Sequence, residues 1–245
     1  MAFSFQVSRL VKSIVEEKES RMKETLAMLG VRPMAHWLSW ILTAIISFGC
    51  SSFLVTYILT SSLMKFSDPL YLAAFIGFFA GSIIGFSFFI ASLFSRAKLA
   101  SIVGPIALFV TLLPRFIFFD TNRYEAVGGK MLASLLPCSA FAFGSDILAD
   151  YEYAEIGLNS SNASEGGYSF NTCLSMMFFD TFFYIALAWY FEEVIPRQYG
   201  VNRKFYFCLT PSYLADSFTQ LFPCFFREKK AKSESINSSQ EDEEM

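Results

Sequence analysis

This sequence predicts an all-α, polytopic membrane protein, on three observations. Four long apolar stretches run over His36–Thr60, Leu70–Phe94, Leu99–Phe119 and Cys173–Ile195. Each is long enough to cross a hydrocarbon core of about 30 Å as a helix, which takes about 20 residues. Charge is displaced to the two ends and to short connections. Finally, 54% of the 245 residues are apolar and Phe alone accounts for 30, more than the core of a soluble chain this size could hide on four all-round apolar helices.

Ahead of the first span, Ser4–Leu29 reads as an amphipathic helix. Val7, Val11, Ile14, Met22, Leu26 and Leu29 recur at near-helical spacing, and Gly30 with Pro33 stops it. Its polar face is dense: Glu16, Glu17, Lys18, Glu19, Arg21, Lys23 and Glu24. Opposite charges three or four apart support such a helix by about 0.3 kcal/mol per pair. The expectation is a cytosolic segment, residues 1–32, that stays outside the bilayer as a solvated or interfacial face, or as a lever that docks a partner.

Residues 33–200 then form the transmembrane domain. Trp37 and Trp40 open the first span as interfacial anchors. His36, the single histidine, reads as a polar end residue without chemistry. Ser67-Asp68-Pro69 turns the chain into the second span, where Gly77-x-x-x-Gly81-x-x-x-Gly85 lets helix backbones approach. Packing against a neighbouring span is favoured there over a dimer seam. After the polar connection Ser95-Arg96-Ala97-Lys98, the third span carries Pro105 and Pro114. Each proline frees backbone carbonyls that neighbours must satisfy.

The region 124–150 is a moderately apolar helical pair broken at Pro137. Within it Leu135–Gly144 is too short to span once and too apolar for an open loop, so a re-entrant hairpin fits best; two further spans remain an alternative. A polar loop over 157–172 carries two N-glycosylation sequons, at Asn159 and Asn162. Cys138 and Cys173 fall on one side of the membrane, which leaves a disulfide open if that side is oxidising. After the last span come a juxtamembrane segment, 201–226, and a Lys/Glu/Ser-rich tail, 227–245, with the composition of disorder.

Lys and Arg gather before span one, in the second connection and after span four, which places both termini in the cytosol and the sequons outside. No basic stripe with interleaved aromatics points to nucleic acid. The sequence shows no phosphate loop, no paired catalytic carboxylates, no nucleophile with a base and no metal-ligand spacing. Asp180 is the intramembrane carboxylate candidate, since a buried carboxylate costs several kcal/mol unless paired or wetted. A hydrogen bond to Ser or Thr on a neighbouring span is the plainer reading. Asp146 borders the hairpin, and Glu192 and Glu193 sit at the inner interface.

The charged helix carries Glu17-Lys18-Glu19, Arg21-Met22-Lys23-Glu24 and Met28-Leu29-Gly30, followed by Trp37 and Trp40. With Leu93–Ala97, Leu135-Leu136-Pro137, Gly144, Asp180, Trp189–Glu192, Gln198–Val201 and Pro211-Ser212-Tyr213, it resembles the membrane domain of A-subfamily ABC transporters, exporters of lipids and sterols. The resemblance covers the chain to about Leu214. It implies half of a type V-like exporter membrane domain with an external re-entrant helical hairpin. Glu17, Lys18, Glu19, Arg21, Lys23 and Glu24 become a coupling helix before the family's second span. It also implies a phospholipid or sterol substrate, a second transmembrane half, and ATP with Mg on a nucleotide-binding domain that this sequence lacks. The family's first span and extracellular domain have no counterpart upstream, so a truncated or fragmentary chain is expected, without ATPase activity of its own. The expected location is the plasma membrane or an endolysosomal membrane. A non-transporting scaffold or regulator is the alternative.

Overall fold

A computed structural model describes residues 2–30, 33–118 and 125–194. The sequence expectations for Arg32, Phe119, Ile195, the juxtamembrane segment and the tail lie outside the described residues. The described residues form helices α1 (Ala2–Glu19), α2 (Met22–Met28), α3 (Pro33–Ser62), α4 (Pro69–Leu93), α5 (Ala97–Val110), α6 (Leu113–Ile117), α7 (Val127–Ala133), α8 (Pro137–Tyr153) and α9 (Phe170–Val194). Four stretches are long and apolar enough to cross a membrane: Ala35–Ser62, Pro69–Leu93, Ala97–Ile117 and Phe170–Glu192. Below, the inner end of the bundle is the one with Trp37 and Trp40.

Helix α4 is the hub. Its Phe75, Ile76, Ala80, Ile83 and Phe88 are buried, and α3, α8 and α9 pack on it. Helix α9 runs parallel to it, pairing Phe78 with Phe178 and Phe89 with Phe191. Glycine makes this seam close. A Cβ on Gly81 would lie 3.2 Å from Thr181 Oγ1, and one on Gly85 would lie 2.9 Å from the Thr181 carbonyl oxygen. Gly77 meets nothing within 4 Å. Two of the three spaced glycines therefore serve an intramolecular contact.

The charged helix differs from its expectation in two ways. It breaks at Arg21, whose φ of 56° is left-handed, and so forms α1 and α2 in place of one rod. Moreover, α1 does not lie clear of the spans. Val7, Leu10, Val11, Ile14 and Val15 are buried against α3, α4 and α5. Phe3 stacks on Phe48 in the middle of α3 and meets Phe79 edge-on in α4. The dense charge begins only at Glu16; the residues before it carry an apolar stripe that three helices can cover.

Helix α5 shows what proline demands of its surroundings. Pro105 has no N–H, so the Ser101 carbonyl loses its helical donor. Ser8 of α1 supplies a hydroxyl to that oxygen at 2.8 Å. Near Pro114 the helix breaks and α6 starts afresh, with Arg115 N donating to Leu112 O and not to Thr111 O. Ser139 of α8 donates to the Thr111 carbonyl at 2.5 Å.

Helices α7 and α8 form a hairpin that opens toward the outer end. Its tip is deep: Tyr184, fourteen residues along α9 from Phe170, donates through its hydroxyl to Leu135 O at 2.8 Å. At 1.5 Å per residue that is about 21 Å along α9. Helix α8 then returns, and Phe141 stacks on Phe75 and Phe79. Cys138 and Cys173 are both buried free thiols, so the disulfide left open by the sequence is not formed. Cys173 instead donates to Ala140 O.

Gly85→Ala should destabilise the chain by about 1–3 kcal/mol through overpacking against Thr181. Gly77→Ala should leave it within about 0.5 kcal/mol. Thermal unfolding in detergent measures both. By the same assay, Ser139→Ala should cost about 1–3 kcal/mol, because it leaves the Thr111 carbonyl buried without a donor.

Candidate functional site

Three consecutive residues at the end of α1 each hold a different helix. Glu17 accepts from Trp40 Nε1 at 2.5 Å through Oε2, and its Oε1 lies 3.5 Å from His36 Nδ1; both partners belong to the start of α3. Lys18 Nζ donates to the Ala91 carbonyl at 2.9 Å, in the last turn of α4. Glu19 Oε2 accepts from the Ala97 backbone N–H at 3.1 Å, at the first turn of α5. The signs follow the backbone. A cation suits the partial negative charge of a helix C-terminus, and a carboxylate suits the N-terminal N–H groups. Lys18 and Glu19 thus bracket the α4–α5 connection, each at the end that its charge favours.

Around this clamp the inner end is concave. Ile14, Glu17, Lys18, His36, Trp37, Trp40, Phe88 and Glu192 line a small cavity. An open cleft beside it is lined by Glu16, Glu17, Glu19, Ser20, Met22 and Trp40. Arg21 is exposed at the turn into α2, where the Thr25 N–H donates to its carbonyl. Lys23 and Glu24 lie on α2, and their side chains fall outside the described residues. His36, which the sequence reading left without a role, is a member of the clamp.

Asp180 lies apart from this cluster. It sits ten residues into α9 on the buried stripe Cys173, Met177, Asp180 and Tyr184, and is fully buried. That is nearly three turns from the start of the helix. Neither carboxylate oxygen has a hydrogen-bond partner, so the expected bond to Ser or Thr of a neighbour is not made. Among the described residues no group of His, Cys, Asp and Glu could hold a metal ion.

The outer end is held first by Glu152, which the sequence does not single out. The Glu152 carboxylate at the end of α8 accepts from Lys65 N at 2.6 Å, Phe66 N at 3.0 Å and Ser67 Oγ at 2.8 Å. Ser67 Oγ in turn accepts from Leu158 N at 3.0 Å. One carboxylate so joins the α3–α4 loop to the α8–α9 loop. Partial burial works against its charge, but these donors outweigh it and hold the group below its ordinary value of 4.5. Asp146 meets Arg115 Nη2 at 2.6 Å, which ties α8 to α6. Burial lowers the nearby Lys130 ammonium, against the raising effect of Glu125. In the polar loop Asn159 is exposed, whereas Asn162 donates through Nδ2 to Gly157 O at 2.9 Å and accepts from Asn159 N at 2.8 Å.

The described residues thus form a multi-pass helical bundle whose inner end is joined by a charged clamp across three helices. Comparison with protein families matches residues 1–190 to the ABC-2 family transporter proteins, and the chain belongs to that family. It is 35% identical over 252 residues to the retinal-specific phospholipid-transporting ATPase ABCA4 of Mus musculus, covering 100% of this chain and 11% of that protein. It is 33% identical to ATP-binding cassette sub-family A member 2 of Rattus norvegicus, over 87% of this chain and 9% of the relative. Identity is 30% to the phospholipid-transporting ATPase ABCA3 of Homo sapiens, over 87% and 13%. The chain therefore spans about a tenth of the length of these relatives.

Glu152→Gln should remove a pH-dependent stabilisation. The folded-state value lies below the ordinary one, so the carboxylate stabilises the fold above about pH 4.5, and that contribution is lost as pH falls through the lower folded value. Melting temperatures at neutral pH should rank wild type above Glu152→Gln. The gap should close in strong acid, and a gap independent of pH would refute the assignment.

Proposed function

We propose that this chain is a transmembrane portion of an ATP-driven lipid transporter. It moves phospholipid or sterol across the bilayer when coupled to an ATP-binding domain on other sequence. The clamp of Glu17, Lys18 and Glu19 carries this reading. A push on α2 and the end of α1 would reach α3, α4 and α5 together, because one residue grips each. Lys18 and Glu19 meet the helix ends that their charges favour, which would keep the clamp engaged while the helices move. Two of the relatives are named as phospholipid-transporting ATPases, which supports the lipid class.

In this reading the inner end and the C-terminus are cytosolic, in the plasma membrane or an endolysosomal membrane, whereas the start of α1 lies beside the middle of α3 and not at the cytosolic face. The partners are a nucleotide-binding domain, which holds ATP and Mg, a second transmembrane half, and the lipid itself. Glycans at Asn159 or Asn162 then face outward, and of the two Asn159 is the more exposed.

A chimera tests the proposal. Residues 1–190 replace the matching stretch of the mouse relative, and the product is reconstituted with fluorescent phospholipid. The expected result is ATP-dependent lipid movement, with lipid-stimulated ATP hydrolysis. Replacing Glu17, Lys18 and Glu19 together by Gln should lower lipid movement by about tenfold or more, the effect of losing charge-assisted hydrogen bonds, while basal hydrolysis stays. Full transport by the triple variant would sink the coupling role. Hydrolysis without transport in the parent chimera would sink the transporter reading.

A further inference from the structure

Helix α1 carries a cationic face that the clamp does not use. Phe5, Arg9, Lys12 and Ser13 lie on the side turned away from α3, α4 and α5, and all are exposed. Lys12 is held by Glu16 at 3.3 Å. The Arg9 guanidinium lies 5.8 Å from the centre of the Phe5 ring, and no carboxylate pairs with it among the described residues.

Depth makes this placement unusual. Glu17 is level with Trp40, the interfacial anchor of α3. Gln6 donates to Ser51 and Phe3 stacks on Phe48, much further along the same span. From the tryptophan level α1 therefore climbs beside the span helices. Arg9 lies eight residues above Glu17, about 12 Å at 1.5 Å per residue. Half of the hydrocarbon core is about 15 Å thick. An arginine at that depth, pointing away from its own bundle, is not left against acyl chains. Ionisable groups there meet water or an opposite charge and mark the route of a substrate.

We propose that this face of α1 is a headgroup subsite, in which Arg9 takes the phosphate of a membrane phospholipid and Phe5 lies against its acyl chains. A guanidinium offers two parallel N–H donors that match phosphate oxygens, and it loses less on leaving water than an ammonium does. Lys12 lies one turn nearer the inner interface, where its bond to Glu16 tempers its charge and leaves Arg9 the stronger seat. The subsite deepens the lipid-transport reading and rests on it.

The test uses the full chain in detergent with two lipids that share acyl chains: dioleoylphosphatidylcholine, and dioleoylglycerol, which lacks the phosphate. Native mass spectrometry counts retained lipid. The wild type should retain the phospholipid at about tenfold lower concentration than the glyceride. Arg9→Gln should abolish that preference, Arg9→Lys should keep part of it, and Arg96→Gln at the inner connection should keep all of it. Arg9→Met is a second neutral variant should Arg9→Gln not fold. If phospholipid is retained equally by wild type and the neutral variants, the subsite is overturned and the lipid reading stands. If the wild type retains neither lipid, both fall.

Discussion

A backbone carbonyl that loses its helical donor in a water-free interior must find another, and the placing of α1 and α8 follows from that demand. Pro105 and the break near Pro114 each free an oxygen on α5. Ser8 and Ser139 each answer with a hydroxyl. These two bonds come from different elements, one from the helix that ends in the clamp and one from the outer hairpin. An unmade bond of this kind costs about 1–3 kcal/mol, more than most surface contacts contribute. The irregular span is therefore the element on which the helix leading to the inner device and the outer hairpin are both registered.

The two ends of the bundle use carboxylates differently. At the inner end Glu17 and Glu19 reach between helices, so their bonds depend on how those helices are arranged. At the outer end Glu152 gathers backbone N–H groups from one loop and holds it to another. The first arrangement suits a part that passes movement on. The second suits a part that stays closed. Asp180, with neither kind of partner, belongs to neither end.

Much of the fold was legible. Four helices among the described residues are long and apolar enough to cross a membrane, as hydropathy predicts, because about 20 apolar residues in a row have few other uses. The demand that Pro105 and Pro114 make was legible too, but its answer was not, since nothing in sequence spacing brings Ser8 beside Ser101 or Ser139 beside Thr111. The packing of α1 was not legible, because the stripe Val7–Val15 is as compatible with a bilayer surface as with the three helices that cover it. Glu152 left no local signal at all: a lone glutamate beside tyrosines looks solvated until a loop more than eighty residues earlier folds over it. Nothing local to His36 shows its partner either, a carboxylate on another helix.

The vacant glycine on α4 has a mechanical meaning. Thr181 sits across Gly81 and Gly85, and Gly77 continues the same track one turn further out, with open space where a side chain would project. Contact tightens from one glycine to the next: none at Gly77, the Thr181 side chain at Gly81, and the α9 backbone itself at Gly85. The pair is therefore wedged at its inner end and slack toward the outer one, like a hinge leaf pinned along one edge.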